Sequence, residues 1–183
     1  MNKALIVIDI QNEYFEHGGM ELVNPVPASI QAGKIIQRFR EKGLPVVHIQ
    51  HISADPIHLP FFIEGTEFAE IHANVKPLPN EVVIRKHFPN SFRETGLLNY
   101  LKENKITELV VVGMMTHMCI DATTRAAVDL GYTCTVIDDA CATLDLEING
   151  KCIKADDVHQ AFLAALAFFY ANIQSTEKYL AEN

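Results

Sequence analysis

The sequence predicts an α/β fold in which a parallel sheet is covered by helices on both faces. Short aliphatic and β-branched runs alternate along the chain with stretches whose apolar residues recur at helical spacing, as is typical of βαβ units. The chain has 183 residues, of which 49% are hydrophobic, so it can build one ordinary core. Because it also lacks repeats and linker-like segments, a single domain over residues 1–183 is expected.

Six strands and four helices are predicted along the chain. The strands are expected at residues 4–9, 45–50, 81–86, 108–112, 132–137 and 171–174. The first helix has Pro27 in its first turn and ends at Gly43, because proline suits the start of a helix and glycine the residue after its end. Thr95 is the expected cap of a short second helix that ends near Asn104.

The last two predicted helices follow strands four and five. One runs from about residue 117 to residue 130, with Thr116 as its cap and Gly131 as its stop. Asp156 or Asp157 caps the final helix, whose apolar residues extend almost all round it. Such a helix can pack on the sheet with one side and on a second subunit with the other, so we expect a homo-oligomer.

Two predicted loops are longer than the connections usual in α/β domains. Residues 11–26 follow strand one, and residues 51–80 follow strand two. Long loops at the carboxyl edge of a parallel sheet commonly shape a ligand pocket or a subunit contact. In the connection after strand five, Asn149 and Gly150 form a pair typical of a tight hairpin turn.

Charge and cysteine content restrict the class of partner. The formal net charge of −8 and the lack of a basic stripe argue against nucleic acid. No apolar run approaches the ~18 residues that a membrane span needs. The four cysteines lack CxxC spacing and no secretory leader precedes strand one, so a reduced, cytoplasmic protein is expected. A small-molecule substrate is therefore the expected partner.

Reactive side chains stand at the ends of three predicted strands. Asp9 ends strand one, Lys86 ends strand three, and Cys119 follows strand four at the start of a helix. Because parallel strands end at one edge of the sheet, these groups should lie along one rim. The helix dipole and the lysine would favour the Cys119 thiolate, while Asp9 could accept and return a proton. The backbone N–H groups of Met115 and Cys119 could hold an oxyanion.

Each of these residues also has a purely structural interpretation. A cysteine at a helix start can be a small buried hydrophobe, an aspartate after a strand can form a turn, and a lysine can be a surface charge. Their convergence favours the functional interpretation. His117 lies two residues before Cys119, and such positions point apart on a helix, so it is interpreted as a loop or subunit-contact residue.

Three ordered motifs carry a family resemblance. They are IVIDIQN at residues 6–12, RKHFPNSF at residues 85–92 and VGMMTHMC at residues 112–119. They resemble those of the isochorismatase-like cysteine hydrolases, a superfamily that includes nicotinamidases and related amidohydrolases. The resemblance covers essentially the whole chain. It implies a three-layer α/β/α fold with a six-stranded parallel sheet in the order 3-2-1-4-5-6.

The resemblance also implies a catalytic triad, carried here by Asp9, Lys86 and Cys119. By alignment, the family's non-proline cis peptide would lie between Met114 and Met115. In the implied strand order, strand three is two places from strand one, about 10 Å away. Lys86 must therefore lean inward to reach the other two residues.

One departure from the family concerns metal. Nicotinamidases place an aspartate, a spacer and a histidine after strand two as metal ligands, where this chain has His51, Ile52 and Ser53. His48, His51 and His58 also lack a spacing that would converge them on an ion. We therefore expect no metal and no other cofactor, and interpret His51 as a hydrogen-bonding group of the pocket.

The expected reaction is hydrolysis of a small-molecule amide or related C–N bond through a Cys119 thioester. Vinyl-ether cleavage needs no nucleophile, so the presence of Cys119 points towards attack on a carbonyl group. Alternatives are isochorismatase-type vinyl-ether hydrolysis and a non-catalytic ligand-binding protein on the same fold. The candidate substrate-binding residues are Gln11, Phe15, His51, Phe88 and Phe92. For the last two, an apolar substrate wall and plain core packing are both open.

Overall fold

A six-stranded parallel sheet forms the middle layer of the computed structural model, which describes residues 2–183. The strands of the chain are β1 (Lys3–Ile8), β2 (Val46–His51), β3 (Val82–Lys86), β4 (Glu108–Met114), β5 (Thr133–Ala142), β6 (Leu146–Ile148), β7 (Lys151–Ile153) and β8 (Asn172–Gln174). The sheet has the order β3-β2-β1-β4-β5-β8, which confirms the expected three-layer topology. Its sixth strand is the eighth in the chain because the antiparallel pair β6–β7 intervenes.

Helices form the two outer layers. They are α1 (Pro25–Glu41), α2 (Leu97–Glu103), α3 (Asp121–Asp129), α4 (Ala155–Phe169) and α5 (Thr176–Glu182). The first and last pack on one face of the sheet, and the other three pack on the opposite face. Short 3₁₀ turns lie at Asn12–Tyr14, Glu67–Ala69 and Ala73–Val75, and a π-helical turn at Thr116–Ile120 leads into α3.

The central strand β1 shows why the sheet is buried on both sides. Leu5 and Val7 belong to the core under α1 and α5, whereas Ala4, Ile6 and Ile8 belong to the core under α2, α3 and α4. This separation follows from the two-residue period of a strand. Full burial of a large aliphatic side chain stabilises the fold by about 1.5–3 kcal/mol, so both layers hold the sheet.

The close approach of β1 and β4 positions the carboxyl edge of the sheet. Gly113 has φ +133°, and a Cβ atom built there would lie 2.0 Å from the carbonyl oxygen of Ile8. Only glycine fits this contact. The register between β4 and β5 also shifts between Val111 and Gly113. The residues after Ile8 and after Gly113 are thereby brought side by side.

Several predicted boundaries need correction. Helix α1 begins at Pro25, two residues before Pro27, and β5 extends to Ala142 instead of residue 137. Helix α4 is not capped by Asp156 or Asp157, which lie within its first turn. Instead a carboxylate oxygen of Asp145 accepts a hydrogen bond from the N–H of Ala155 at 2.8 Å. Sequence spacing missed this cap because it comes from ten residues upstream.

Two local predictions are confirmed. Gly131 follows α3 with φ +94°, and Gly43 follows α1 with φ +62°, as expected for residues that end helices. Asn149 and Gly150 join β6 to β7 with φ values of +53° and +73°, the backbone of a tight hairpin turn. None of the helices within residues 2–183 is long and apolar enough to cross a membrane.

Candidate active site

Lys86 and Asp9 form a buried ion pair at the carboxyl edge of the sheet. Lys86 leans from the end of β3 so that its Nζ lies 2.6 Å from Oδ2 of Asp9, and neither side chain is exposed. Lys86 also donates a hydrogen bond to the carbonyl of Pro89 at 3.0 Å. Asp9 follows β1 with φ +51°, a left-handed conformation that costs energy for a residue other than glycine. The inward reach that the strand order requires of Lys86 is therefore present.

Cys119 lies against this ion pair. It is 3% exposed and sits in the π-helical turn, where the N–H groups of Met118 and Ile120 both donate to the carbonyl of Met115. The peptide bond between Met114 and Met115 is cis. The predicted helix start at residue 117 is thus displaced: α3 begins at Asp121. Residues 115 and 119, whose amides were considered for an oxyanion, lie in the same tight turn.

Thr116 does not cap the helix as the sequence predicts. Its hydroxyl is directed away from the helix, 2.8 Å from Nδ1 of His159 and 3.2 Å from the carbonyl of Ala142. His117 also contacts other elements, with its Nδ1 at 2.5 Å from the hydroxyl of Thr143. As expected from its spacing, His117 does not pair with Cys119.

The electrostatic state of Cys119 differs from the expected one. Burial raises the pKa of the Cys119 thiol, the negative charge of Asp9 raises it further, and Lys86 only partly offsets this. The expected thiolate was based on the helix dipole and the lysine, but Asp9 pairs with the lysine and Cys119 is almost fully buried. The resting thiol therefore keeps its proton, and a base must remove it during any nucleophilic attack.

Lys86 stays charged in this environment. Burial alone would lower the pKa of its ammonium group, but the adjacent Asp9, with a smaller contribution from Cys119, reverses this, and the net pKa is raised. The pair of Asp9 and Lys86 carries no net charge, so the site presents an acceptor for a proton beside a fixed cation.

His51 is the third group that the structure brings to Cys119. One of its ring nitrogens, a carboxylate oxygen of Asp9 and the sulfur of Cys119 all lie within 4.8 Å of one another. The ring is half-buried and lies 5.2 Å from the ring of Phe62. Burial lowers the pKa of His51, although Asp9 raises it, so the imidazole is neutral at neutral pH. The His51 ring thus lies beside the two candidate catalytic residues Asp9 and Cys119.

Gln11 has a different position from the one expected of a substrate ligand. Its side-chain N–H₂ donates to the carbonyls of His51 and Ala69, each at 2.8 Å, and its oxygen accepts from the N–H of His51 at 2.7 Å. Both donors are thus used by the backbone of the loop after β2. Gln11 positions this loop instead of offering a free amide.

Two residues of the site were not recognised in the sequence. The Glu13 carboxylate accepts hydrogen bonds from the N–H groups of Gly19 at 2.6 Å and Phe62 at 2.9 Å, and so joins the two long loops. Tyr14 is 2% exposed and packs edge-on against Phe62 at 5.1 Å. Burial raises the pKa of Tyr14, and nearby Cys119 and Asp9 add to the effect. The only sequence signal was their place in the loop after strand one.

The three remaining predicted pocket residues have aromatic contacts of their own. Phe15 stacks on His72 with ring centroids 3.7 Å apart, and both line a separate cavity of about 400 Å³. Phe92 stacks near Tyr132 and packs against the core on the α2 side. Phe88 is half-buried and carries the guanidinium of Arg93 over its ring at 3.5 Å.

The donor set around Cys119 does not fit a resident metal ion. Asp9, His51 and Cys119 are close enough to share an ion, but the Lys86 ammonium already lies 2.6 Å from the carboxylate. A divalent cation there would meet a fixed positive charge. The other histidines considered are engaged elsewhere, His48 with Glu81 and His58 with an exposed aspartate.

Comparison with known proteins gives a consistent picture. The family model described as the isochorismatase domain matches residues 3–178. The isochorismatase family protein YddQ of Bacillus subtilis is 52% identical over 98% of this chain and 99% of its own length. A crystal structure of an isochorismatase hydrolase from Oleispira antarctica superposes with a TM-score of 0.93, at 49% identity, over 98% of this chain and 96% of that one. The nicotinamidase of Acinetobacter baylyi is 30% identical over 82% of this chain and 85% of its length.

Proposed function

Because the chain belongs to the isochorismatase family of hydrolases, we propose that it hydrolyses a small-molecule amide or related C–N bond through a thioester on Cys119. The observation that carries this proposal is the buried pair of Asp9 and Lys86, 2.6 Å apart, directly beside the thiol. A carboxylate paired with a buried ammonium group and placed beside a thiol is the arrangement that nucleophilic catalysis by cysteine needs.

The proposed acylation begins with the thiol proton. Asp9 accepts it as the sulfur attacks the carbonyl carbon, so no free thiolate has to form in the buried site. The N–H groups of Met115 and Cys119 hold the oxyanion of the tetrahedral intermediate. The C–N bond then breaks, the nitrogen leaves with one proton, and the acyl group stays on sulfur.

Deacylation reverses the proton transfer. Water attacks the thioester while Asp9 takes one of its protons, and the C–S bond breaks to release the acid. The proton on Asp9 returns to the sulfur, which restores the starting state. Throughout, Lys86 stabilises the carboxylate and the negative charge that develops near it.

The charge of the site favours an uncharged substrate. The charged groups that act on the Cys119 thiol are Asp9 and Lys86, and these two neutralise each other. Isochorismate carries two carboxylates, which would need cations of their own to replace their hydration. Vinyl-ether hydrolysis of that substrate is therefore the weaker alternative. Two relatives are named as nicotinamidases, which is consistent with amide hydrolysis.

The surroundings of the site favour a small substrate. Tyr14, Phe62 and His51 form an aromatic wall beside Cys119, and the ion pair beneath it is fully buried. The two long loops meet in this wall, since Tyr14 belongs to one and Phe62 to the other. Gln11 and Glu13 hold these loops together through backbone hydrogen bonds, so the closed site excludes bulk water.

The function is tested by screening small amides, ureas and lactams for release of ammonia or amine. We expect Cys119→Ala to lower turnover of an accepted substrate by at least about 10³-fold, because the nucleophile is lost. Cys152→Ala is the matched control, since Cys152 is exposed on the β6–β7 pair and should leave turnover unchanged. Substantial turnover by the Cys119 variant would contradict the mechanism.

We also propose that the chain forms a homo-oligomer through α4. Phe168 is 91% exposed and Phe169 is 73% exposed, and the alanines at 161, 164 and 165 extend this apolar face along the helix. An apolar face of this kind is commonly covered by another subunit. Light scattering should show a mass above 20.5 kDa that falls towards the monomer in Phe168→Asp; a wild-type monomer would refute the proposal.

A further inference from the structure

His51 is held rigidly beside the reacting groups. It ends β2 and is paired in register with Lys86 of β3. Its backbone N–H and carbonyl are both bonded to the side chain of Gln11, at 2.7 and 2.8 Å, and its ring leans on Phe62. Hydrogen bonds to both backbone groups and the contact with Phe62 limit the positions that the His51 ring can take, and such preorganisation favours catalysis.

The ring of His51 has no hydrogen-bond partner among the described residues, which distinguishes it from most histidines of the chain. Ring hydrogen bonds are formed by His48, His58, His72, His87, His117 and His159. His17 is exposed on the surface and makes only a long contact with Glu16. His51 therefore combines burial with two free ring nitrogens.

The carboxylate that it faces is also incompletely bonded. Lys86 contacts Oδ2 of Asp9, whereas Oδ1 is buried and has no hydrogen-bond partner. A buried oxygen without a partner costs free energy, so such atoms mark places where another group binds during function. One His51 ring nitrogen lies within 4.8 Å of this carboxylate and of the Cys119 sulfur.

Burial separates the roles of the two residues. Asp9 is fully buried behind Lys86, whereas the ring of His51 is partly exposed. His51 can thus contact both the carboxylate and the nitrogen of a bound substrate. A neutral imidazole has one N–H and one lone pair, so it can give a proton and take another.

We propose that His51 delivers the proton to the departing nitrogen, an inference that rests on the amide hydrolysis proposed above. Asp9 takes the proton of the thiol as the S–C bond forms. His51 gives its ring proton to the nitrogen as the C–N bond breaks, and receives the proton held by Asp9. One proton passes from sulfur to nitrogen in total, and His51 ends as neutral as it began.

The test uses two substrates with the same acyl group. One is a primary amide, whose nitrogen must be protonated to leave, and the other is a p-nitrophenyl ester, whose phenolate leaves without a proton. His51→Gln keeps a polar side chain of similar reach but cannot transfer protons. We expect it to lower kcat/KM for the amide by about 10²-fold or more and to leave that for the ester nearly unchanged.

Controls separate this role from a structural one. His58→Gln removes an exposed histidine of the same loop and should affect neither substrate. His51→Asn serves as a second variant if His51→Gln is unstable by thermal denaturation. An equal loss on amide and ester, or an unchanged amide rate, would overturn the role of His51. If the ester fails to acylate wild-type Cys119, as seen by mass spectrometry, the amide mechanism itself is refuted as well.

Discussion

Two ionic clusters lie at opposite ends of strand β3, and their carboxylates differ in the number of hydrogen-bond donors that they contact. Glu81, just before the strand, accepts hydrogen bonds from Nε and Nη2 of Arg40 at 2.7 and 2.8 Å, from His48 at 3.0 Å and from the N–H of Leu78 at 2.9 Å. At the other end, Lys86 contacts one oxygen of Asp9 and leaves the second without a partner.

The difference separates a structural cluster from a functional one. A carboxylate with all its lone pairs used is stable but has no capacity left for a proton or a ligand. The Asp9 carboxylate keeps that capacity, at the cost of an unsatisfied buried oxygen and a left-handed backbone. Both clusters have similar residue types, and Nδ1 of His48 beside Glu81 is itself buried without a hydrogen-bond partner, so it is the bonding of the two carboxylates that distinguishes the clusters.

The largest effect is expected from Asp9→Asn. The amide cannot accept the thiol proton, so turnover of an accepted amide should fall by about 10³-fold or more. The variant also leaves the Lys86 ammonium buried without a counter-charge, which should cost about 3–5 kcal/mol in the free energy of unfolding. Amide turnover and denaturant unfolding measure the two effects.

A double variant separates the loss of turnover from the loss of stability. Asp9→Asn combined with Lys86→Met removes both charges, so the free energy of unfolding should recover while turnover stays lost. Recovery of turnover in the double variant would contradict the role given to Asp9. Full turnover in Asp9→Asn alone would show that the Asp9–Lys86 cluster is not the functional one of the two.

A smaller effect is expected at the other cluster. Glu81→Gln should lower the free energy of unfolding by about 1–3 kcal/mol, because charge-assisted hydrogen bonds to Arg40 and His48 are lost, and should leave kcat/KM unchanged. A clear loss of kcat/KM at unchanged stability would show that this cluster is not merely structural.

The pH dependence of the same variant provides a second measurement. The bonds to Arg40, Leu78 and His48 outweigh burial and lower the pKa of Glu81 from 4.5 to about 2. A carboxyl whose pKa is lowered on folding contributes its stability above the unfolded pKa and loses it as the pH falls. The stability gap between wild type and Glu81→Gln should therefore be full above pH 4.5 and shrink towards about pH 2. A gap that does not change over this window would contradict the assignment.

The smallest expected effect is a difference in the rate at which iodoacetamide alkylates two cysteines. Because burial raises the pKa of Cys119, little thiolate exists at pH 7, and iodoacetamide should alkylate Cys119 more slowly than the exposed Cys152. Labelling of each cysteine is followed by peptide mass spectrometry, and Cys119→Ala identifies its signal. Preferential labelling of Cys119 at pH 7 would instead support a resting thiolate.

Much of the fold was predictable because it depends on local pattern. Alternation of strands and helices, glycines such as Gly43 and Gly131, and the Asn149–Gly150 turn act within a few residues of chain. The rule that parallel strands end at one edge is equally general, so Asp9, Lys86 and Cys119 could be placed together before any contact was known.

Structural details that depend on contacts between distant parts of the chain could not be predicted from the sequence. The Asp145 cap, the core position of Phe92 and the loop contacts of Gln11 and Glu13 all depend on segments that approach only in the folded chain. In Gln11 and Glu13 the partners lie about 40 to 60 residues away in sequence. Composition and spacing carry no information on which backbone groups such side chains will meet.

The amino-acid sequence by itself therefore determined which chemical groups stand at the sheet edge, since the strands and their parallel direction follow from the hydrophobic pattern, and the family resemblance implies their order. Only the tertiary structure decided their state. Whether Cys119 is a thiol or a thiolate depends on the water excluded around it and on how closely Asp9 and Lys86 approach. Both are properties of packing in three dimensions, because burial and charge act over distances in space and not along the chain.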